Sequence, residues 1–153
     1  MKIEERQPIG IWCYEDSGSC WWFDDEGVIF RRSPTTQGNL IAIVKDYSQT
    51  GGGLNSKILP DRFMKNFLSI IQVMQKSSLD EKEILLKDLA VEEVEVLLGA
   101  GPDSSGGRGP MLYFSLRFPA DSALAAIEHL QEKPGLKNIK YIDFRVENRV
   151  YYR

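Results

Sequence analysis

The residue types that could carry covalent or metal chemistry are sparse in this sequence. It contains two cysteines, Cys13 and Cys20, and one histidine, His129. Two cysteines cannot complete a structural zinc site, which takes four Cys or His ligands. A Ser–His–Asp or Cys–His nucleophilic site would depend on His129. The apolar stripe of the helix predicted around His129 leaves this residue outside it, so we expect a solvent-exposed imidazole.

Three polar stretches are similar to binding sites only in composition. Residues 24–26, Asp-Asp-Glu, lack the alternating oxygen-ligand spacing of an EF-hand and run into a glycine, which favours a turn. The Gly- and Ser-rich stretch 99–109 lacks the Gly-Lys-Ser/Thr ending of a phosphate-binding loop. The acidic residues Glu92, Glu93 and Glu95 suit a solvated strand face. We therefore predict no catalytic residue, no metal site and no cofactor.

The two cysteines enclose a stretch of six residues, 14–19, with strong turn character. If this stretch closes a hairpin, Cys13 and Cys20 face each other. Cα atoms of a non-hydrogen-bonded antiparallel pair lie about 4.5 Å apart, and a disulfide takes about 4.4–6.8 Å. The sequence thus permits either a disulfide or two buried thiols. A disulfide would favour an extracytoplasmic location.

Composition indicates an ordinary globular domain. The chain has 153 residues, of which 42% are hydrophobic and 27% charged, enough for one domain with a substantial core. Its net charge of −3, without a strongly basic block, argues against a nucleic-acid binder that relies on phosphate contacts. No apolar run reaches the length of about 18 residues that a membrane-spanning helix needs.

Periodicity in the first half predicts four strands and one helix. The strands are 3–14, 20–23, 28–30 and 40–46, with turns or loops at 24–27, 33–39 and 48–55. The aromatic cluster of Trp12, Trp21, Trp22 and Phe23 is predicted to pack in the core, because aromatic residues favour strands and bury large areas. Helical spacing of apolar residues from Phe63 to Met74 predicts a helix over 60–76.

In the second half, strands are predicted over 83–91, 93–98 and 111–118. Asp121 or Ser122 can cap a second helix, which ends near Pro134-Gly135. This order of elements predicts an α+β domain with a mostly antiparallel twisted sheet and two helices packed on it. The predicted core comprises Phe63, Phe67, Ile70, Leu112, Phe114, Leu116, Ile127, Leu130, Ile142 and Phe144.

The segment 141–153 ends the sequence with two β-prone runs. Ile142, Phe144 and Val146 alternate with polar residues up to Glu147, the pattern of a half-buried strand. Asn148 tolerates positive φ, which suits a tight turn or a bulge. The residues 149–152 form the second run. Such a final strand often lies at a sheet edge, where free N–H and C=O groups can accept a strand from another chain.

Three motifs resemble the β domain of the bacterial cell-division family FtsQ, also called DivIB. Residues 141–145, Tyr-Ile-Asp-Phe-Arg, resemble the end of that domain. Residues 5–12 resemble the junction between the family's POTRA domain and its β domain, and residues 24–30 resemble one of its hairpins. The motifs follow the family's order. The resemblance implies that 1–153 is a single FtsQ-type β domain. It also implies that a cytoplasmic tail, one transmembrane helix and a POTRA domain precede it, so that it lies on the extracytoplasmic side of the cytoplasmic membrane.

The resemblance further implies a non-catalytic scaffold of the cell-division complex. In the family, this domain binds the extracytoplasmic segments of the bitopic proteins FtsB and FtsL, mainly by a strand of FtsB added to the C-terminal sheet edge. The family arginine that matches Arg145 contacts an acidic side chain of the partner. The implied partner-binding residues are Arg145, Val146, Asn148, Arg149, Val150, Tyr151 and Tyr152. The family often has an aromatic residue in place of Val146, and Gly or Ser in place of Asn148-Arg149.

Two functions of other classes stay open. A cell-wall or glycan hydrolase would need a deep pocket that holds two carboxylates. A secreted sugar- or peptide-binding module would use exposed rings of Trp21 or Trp22, and burial of both rings would exclude it.

Overall fold

A computed structural model describes residues 5–34, 41–99, 108–132, 136 and 138–153. Within these residues the chain forms nine strands and two α-helices. The elements of the first half are β1 Gly10–Tyr14, β2 Ser19–Phe23, β3 Ile29–Ser33, β4 Ala42–Asp46 and α1 Asp61–Ser77. Those of the second half are β5 Glu81–Leu86, β6 Glu93–Gly99, β7 Arg108–Ser115, α2 Ala123–Gln131, β8 Tyr141–Asp143 and β9 Tyr151–Tyr152.

All nine strands join one mixed sheet in the order β3-β2-β1-β4-β5-β6-β7-β8-β9. Among the described strands five pairings are antiparallel. Three are parallel, β1 with β4, β4 with β5 and β7 with β8. The class α+β is confirmed, but the prediction of a mostly antiparallel sheet is wrong. Two of the parallel pairings arise because α1 connects β4 to β5 and α2 connects β7 to β8, and a crossover through a helix returns the chain to a parallel strand. The third arises because β4 follows β2 and β3 in the chain but pairs with β1 on its other side.

Both helices lie on the same face of the sheet, which we call the helix face. β4 and β7 run in the same direction, and both crossovers move the chain towards β9. Because such crossovers are almost always right-handed, they put α1 and α2 on one side. One cluster of buried residues contains side chains from both helices and the sheet. Within the described residues, the opposite face, which we call the open face, carries a small cluster of Ile11, Cys13 and Cys20 with the half-buried Trp22 and Ile43.

The core follows the strand register. One row of helix-face residues crosses six strands and is almost completely buried: Trp12, Val44, Ile84, Val96, Leu112 and Ile142. Helix α1 packs its stripe of Phe63, Phe67, Ile70 and Met74 against this row. Of the ten predicted core residues, Leu130 is half-buried and the other nine are buried.

Several predicted boundaries move by a few residues. The first strand begins at Gly10 rather than at residue 3, and residues 1–4 lie outside the described part. β7 ends at Ser115 rather than 118. At this point the carbonyl of Leu116 accepts the side-chain amide of Asn66 in α1 (2.7 Å) instead of a group from a neighbouring strand. The predicted loop 33–39 and the Gly- and Ser-rich stretch 99–109 lie mostly outside the described residues.

Two predicted turns are confirmed, and Ser122 lies at the N-cap of α2, as predicted. Gly27, with φ of 79°, closes the turn after β2, and Asn148 has φ of 61°. Ser122 precedes α2 but makes no side-chain capping hydrogen bond. The predicted end of α2 at Pro134-Gly135 lies outside the described residues. Neither helix in the described part of the chain is long and apolar enough to cross a membrane.

The strand predicted from Tyr141 to Glu147 stops at Asp143. The carboxylate of Asp143 accepts the backbone N–H of Arg145 (2.9 Å), a local bond that competes with sheet pairing and turns the chain. Val146 is consequently 47% exposed instead of continuing the buried side of β8. After this turn the chain comes back as β9.

Candidate protein-binding edge

Strand β9 is the last strand of the sheet, and the described residues contain no strand beyond it. Arg153 donates its N–H to the carbonyl of Tyr141 in β8 (3.2 Å) and accepts the N–H of Tyr141 (3.4 Å). Because backbone groups alternate in direction along a strand, the N–H and C=O of Tyr152 point away from β8. The outward groups of Tyr152 are therefore the ones available to a strand from another chain.

The side chains around this edge are apolar and exposed. Tyr151 is 48% exposed, Tyr152 59%, Val150 36% and Val146 47%. The register places Tyr151 opposite Asp143, on the open face, and Tyr152 opposite the buried Ile142, on the helix face. An exposed apolar strip along an unpaired edge is what an added β strand can bury.

A cleft of about 170 Å³ lies between this edge and the start of α2. Its described lining is Phe114, Ser115, Phe118, Ala120, Ser122, Ala123, Phe144, Val146, Asn148, Arg149 and Val150. The stacked rings of Phe114 and Phe144, 5.1 Å apart, belong to this lining. Small-molecule sites usually measure about 300–1,000 Å³, so the cleft suits a side chain better than a substrate. Its described lining includes neither a carboxylate nor a histidine.

The structure brings six of the seven predicted partner-binding residues together. Val146, Asn148, Arg149 and Val150 line the cleft, and Tyr151 and Tyr152 form β9 beside it. Helix α1 holds the opposite wall, because the N–H of Ala120 donates to the hydroxyl of Ser69 (2.8 Å). Sequence reasoning missed this wall, since Phe118, Ala120 and Ser122 are more than twenty residues from the segment 146–150 and carry no local signal.

Arg145 lies apart from the other six, on the open face. Its Nε and Nη2 donate to the two carboxylate oxygens of Asp143 (2.9 and 2.7 Å), and its Nη1 donates to Glu93 (3.2 Å). The guanidinium carbon lies 4.8 Å from the centre of the Tyr113 ring. The hydrogen bond from Arg145 holds the pKa of the Asp143 carboxyl below its ordinary value, and the same bond raises the pKa of Arg145.

Cys13 and Cys20 face each other across β1 and β2 in the structure, which confirms the predicted hairpin register. They are joined in a disulfide with Cα atoms 4.0 Å apart. The bond lies on the open face near β3, at the opposite end of the sheet from β9.

Two of the three polar stretches have structural partners, and the Gly- and Ser-rich stretch 99–109 lies mostly outside the described residues. Asp24 accepts the backbone N–H groups of Glu26 (3.0 Å) and Val28 (2.9 Å) and a bond from Arg6 (2.7 Å), so it holds a turn. Glu92, Glu93 and Glu95 pair with Arg117, Arg145 and Lys87 respectively. His129 is exposed, as predicted.

The two tryptophans of the carbohydrate-binding hypothesis are half-buried. The guanidinium of Arg31 lies 5.6 Å from the ring centre of Trp22, and that of Arg32 lies 5.8 Å from Trp21. Each stack occupies ring surface that a sugar would need.

Among the described residues, no group of three His, Cys, Asp or Glu side chains is placed to hold a metal ion. A scan of protein-family models finds no match to this chain, and a search of curated proteins finds none either.

Proposed function

We propose that this chain is the β domain of an FtsQ/DivIB-type cell-division protein, a non-catalytic scaffold on the outer side of the cytoplasmic membrane. Its partners are FtsB- and FtsL-like bitopic proteins, one of which adds a strand to β9. The observation that carries the proposal is the β9 edge, where the outward backbone groups of Tyr152 lie among exposed Val and Tyr side chains.

The positions of the three sequence motifs support this proposal. Residues 5–12 lead into and include the start of β1, residues 24–30 form the turn from β2 into β3, and residues 141–145 cover β8 and the turn after it. Each motif thus lies at a junction of the fold. The Cys13–Cys20 disulfide is also typical of an oxidising compartment outside the cytoplasm.

The edge geometry suggests how the domain would recognise a partner strand. Main-chain hydrogen bonds at Tyr152 would supply affinity, and alternate side chains of the partner would fall on opposite faces. Those on the helix face would lie beside Tyr152 and next to the cleft, which takes an apolar side chain. Arg149, at the cleft, favours an acidic neighbour in the same partner segment.

The alternative functions have less support. The cleft is small, and its described lining lacks the two carboxylates of a glycan hydrolase. The rings of Trp21 and Trp22 are half-buried and carry arginine stacks. Neither arrangement favours an enzyme or a carbohydrate-binding module over an edge-docking scaffold.

A calorimetric titration with the extracytoplasmic segment of FtsB from the same organism tests the proposal. Tyr152→Pro removes an outward N–H without touching the pairing with β8, and we expect it to weaken binding about tenfold. Tyr152→Ala is the matched control, because it truncates the side chain but keeps the N–H. We expect the alanine variant to bind more tightly than the proline variant.

Two results would overturn the proposal. One is the absence of binding by the wild-type domain at FtsB concentrations well above micromolar. The other is an unchanged affinity of a folded Tyr152→Pro variant, since main-chain pairing at β9 would then contribute nothing.

A further inference from the structure

Each of the three guanidinium nitrogens of Arg145 donates a hydrogen bond in the structure. Nε and Nη2 form a fork on Asp143, and Nη1 donates to Glu93. A fork of two parallel N–H···O bonds to a carboxylate is among the strongest and most directional side-chain contacts. The backbone N–H of Arg145 donates to Asp143 as well (2.9 Å), so the carboxylate holds both ends of the same residue.

One ring face and two acids surround Arg145. The guanidinium stacks on Tyr113, whose ring in turn packs against Tyr141 in β8 at 6.2 Å. The single positive charge of Arg145 is shared between Asp143 and Glu93, so the immediate surroundings carry a net negative charge. An acidic partner side chain that approached Arg145 would meet two carboxylates already in place, which disfavours a third.

The contacts of Arg145 lie where the chain leaves β8. The N–H of Phe144 donates to the carbonyl of Tyr113 in β7 (2.8 Å). The next residue along the chain is Arg145 with its fork, and after it a turn is closed by the hydrogen bond from the N–H of Arg149 to the carbonyl of Val146 (3.1 Å). Beyond the turn, β9 has only two residues, and both are exposed. Little apolar burial therefore holds β9, and the direction in which it returns depends on the turn.

We infer that Arg145 is a positioning residue: it fixes the exit from β8 and thereby orders the β9 edge before a partner docks. An edge that is already ordered lowers the conformational entropy lost on docking, so the partner binds more tightly. This role differs from the one that the family resemblance implies. Only the binding experiment below rests on the proposed function.

A double-mutant cycle of Arg145 and Asp143 separates a positioning role of Arg145 from a direct contact with the partner. The two roles predict opposite effects of Asp143→Ala on the affinity for the partner. If Arg145 contacts the partner, Asp143→Ala frees the guanidinium and leaves affinity for the FtsB segment unchanged or improved. If Arg145 positions the edge, Asp143→Ala and Arg145→Gln each weaken binding by about three- to thirtyfold, and the double variant is no weaker than the worse single one.

A further variant, Arg145→Lys, distinguishes the charge of Arg145 from its fork geometry. It keeps the positive charge but cannot form the planar fork. Positioning predicts that the lysine variant binds nearly as weakly as Arg145→Gln. A direct charge contact predicts that lysine restores most of the affinity.

A second readout needs no partner. Hydrogen exchange of the Arg153 amide, which pairs with Tyr141, reports the order of β9 in the free domain. Arg145→Gln and Asp143→Ala should each speed this exchange severalfold while leaving amides of the β1–β2 hairpin unchanged. Arg117→Gln is the control, because it breaks another exposed ion pair, with Glu92 (2.6 Å), outside the turn.

Unchanged Arg153 exchange in both variants, or Asp143→Ala with full or improved affinity, would overturn the positioning role. If the wild-type domain fails to bind the FtsB segment but exchange responds as expected, the proposed function fails and the positioning role stands.

Discussion

β3 lies at one edge of the sheet and β9 at the other. Within the described part of the chain, another segment, residues 55–57, pairs with the β3 edge, and none pairs with the outer side of β9. Ile29 of β3 donates its N–H to Ser56 O (2.9 Å) and accepts the N–H of Asn55 (2.8 Å), and Val28 forms a bridge with Lys57. The corresponding outward groups of Tyr152 in β9 face away from the sheet.

The two edges also differ in their side chains. Beyond the covered part, β3 carries the exposed Arg31 and Arg32, and charged residues on an edge oppose the addition of a strand. Behind β3 the rings of Trp12, Phe23 and Phe67 pack with centres 5.5–6.2 Å apart. β9 instead shows Tyr151 and Tyr152 to solvent.

This contrast shows how one sheet can combine a stable end with an accessible one. At the β3 end, aromatic packing, a covering segment and a disulfide fix the strands. At the β9 end, a short exposed strand contributes little burial and leaves its backbone groups free for another chain. The three predictions below test this division of roles.

Phe23→Ala and Tyr152→Ala form a matched pair of aromatic truncations, one near each edge. Phe23 is completely buried, so its truncation should cost about 3–5 kcal/mol of unfolding free energy. Tyr152 is mostly exposed, so its truncation should change stability by about 0.5 kcal/mol or less. Urea denaturation measures both. Similar losses of unfolding free energy for the two variants would show that the two edges do not differ in packing.

Replacing both Cys13 and Cys20 by Ala tests the disulfide. The bond closes a loop with a sequence separation of 7, and the loop-entropy relation predicts a loss of about 2–3 kcal/mol. Partner binding by the folded variant should not change, because β1 and β2 are several strands away from β9. A variant that keeps its stability but loses binding would contradict the separation of the two ends.

As the pH is lowered, amide protection should fall at the β9 end of the sheet at a higher pH than at the β3 end. The hydrogen bond from Arg145 lowers the pKa of Asp143 in the folded state. The ionised Asp143 therefore stabilises the fold fully above the ordinary carboxyl pKa near 4, and this stabilisation is lost as the pH falls through the lowered pKa. Protection factors of the Arg153 amide should therefore fall below about pH 4, with smaller changes in β2. Asp143→Ala should remove this pH dependence, and its persistence would assign the effect to another group.

Much of the core could be predicted from periodicity. Phe67, Ile70, Leu112 and Phe114 are buried as predicted, because helical and alternating spacing directly determine which side chains share a face. The continuous strand from Tyr141 to Glu147 was wrong for a local reason. The Asp143 carboxylate competes with the sheet for the Arg145 N–H, and alternation of hydrophobic residues does not report such a bond.

For the candidate site, the sequence proposed residues of the segment 145–152 but not their surroundings. The cleft wall from Phe118 to Ala123 depends on contacts with α1, such as Ser69 with Ala120. The contact of Arg145 with Glu93 likewise joins residues that are distant in the chain. Local patterns could not predict either of them.

The sequence by itself determined most of the segments that form helices and strands and most of the side chains that face the core, and its spacing predicted that Cys13 and Cys20 meet across a tight hairpin. These features depend on neighbours a few residues apart, where backbone geometry fixes the spacing. Only the tertiary structure decided that the sheet is mixed, that one of its edges is covered and that Arg145 is already paired with Asp143 and Glu93. Those features depend on helical crossovers and long-range pairing, which place residues from distant parts of the chain side by side.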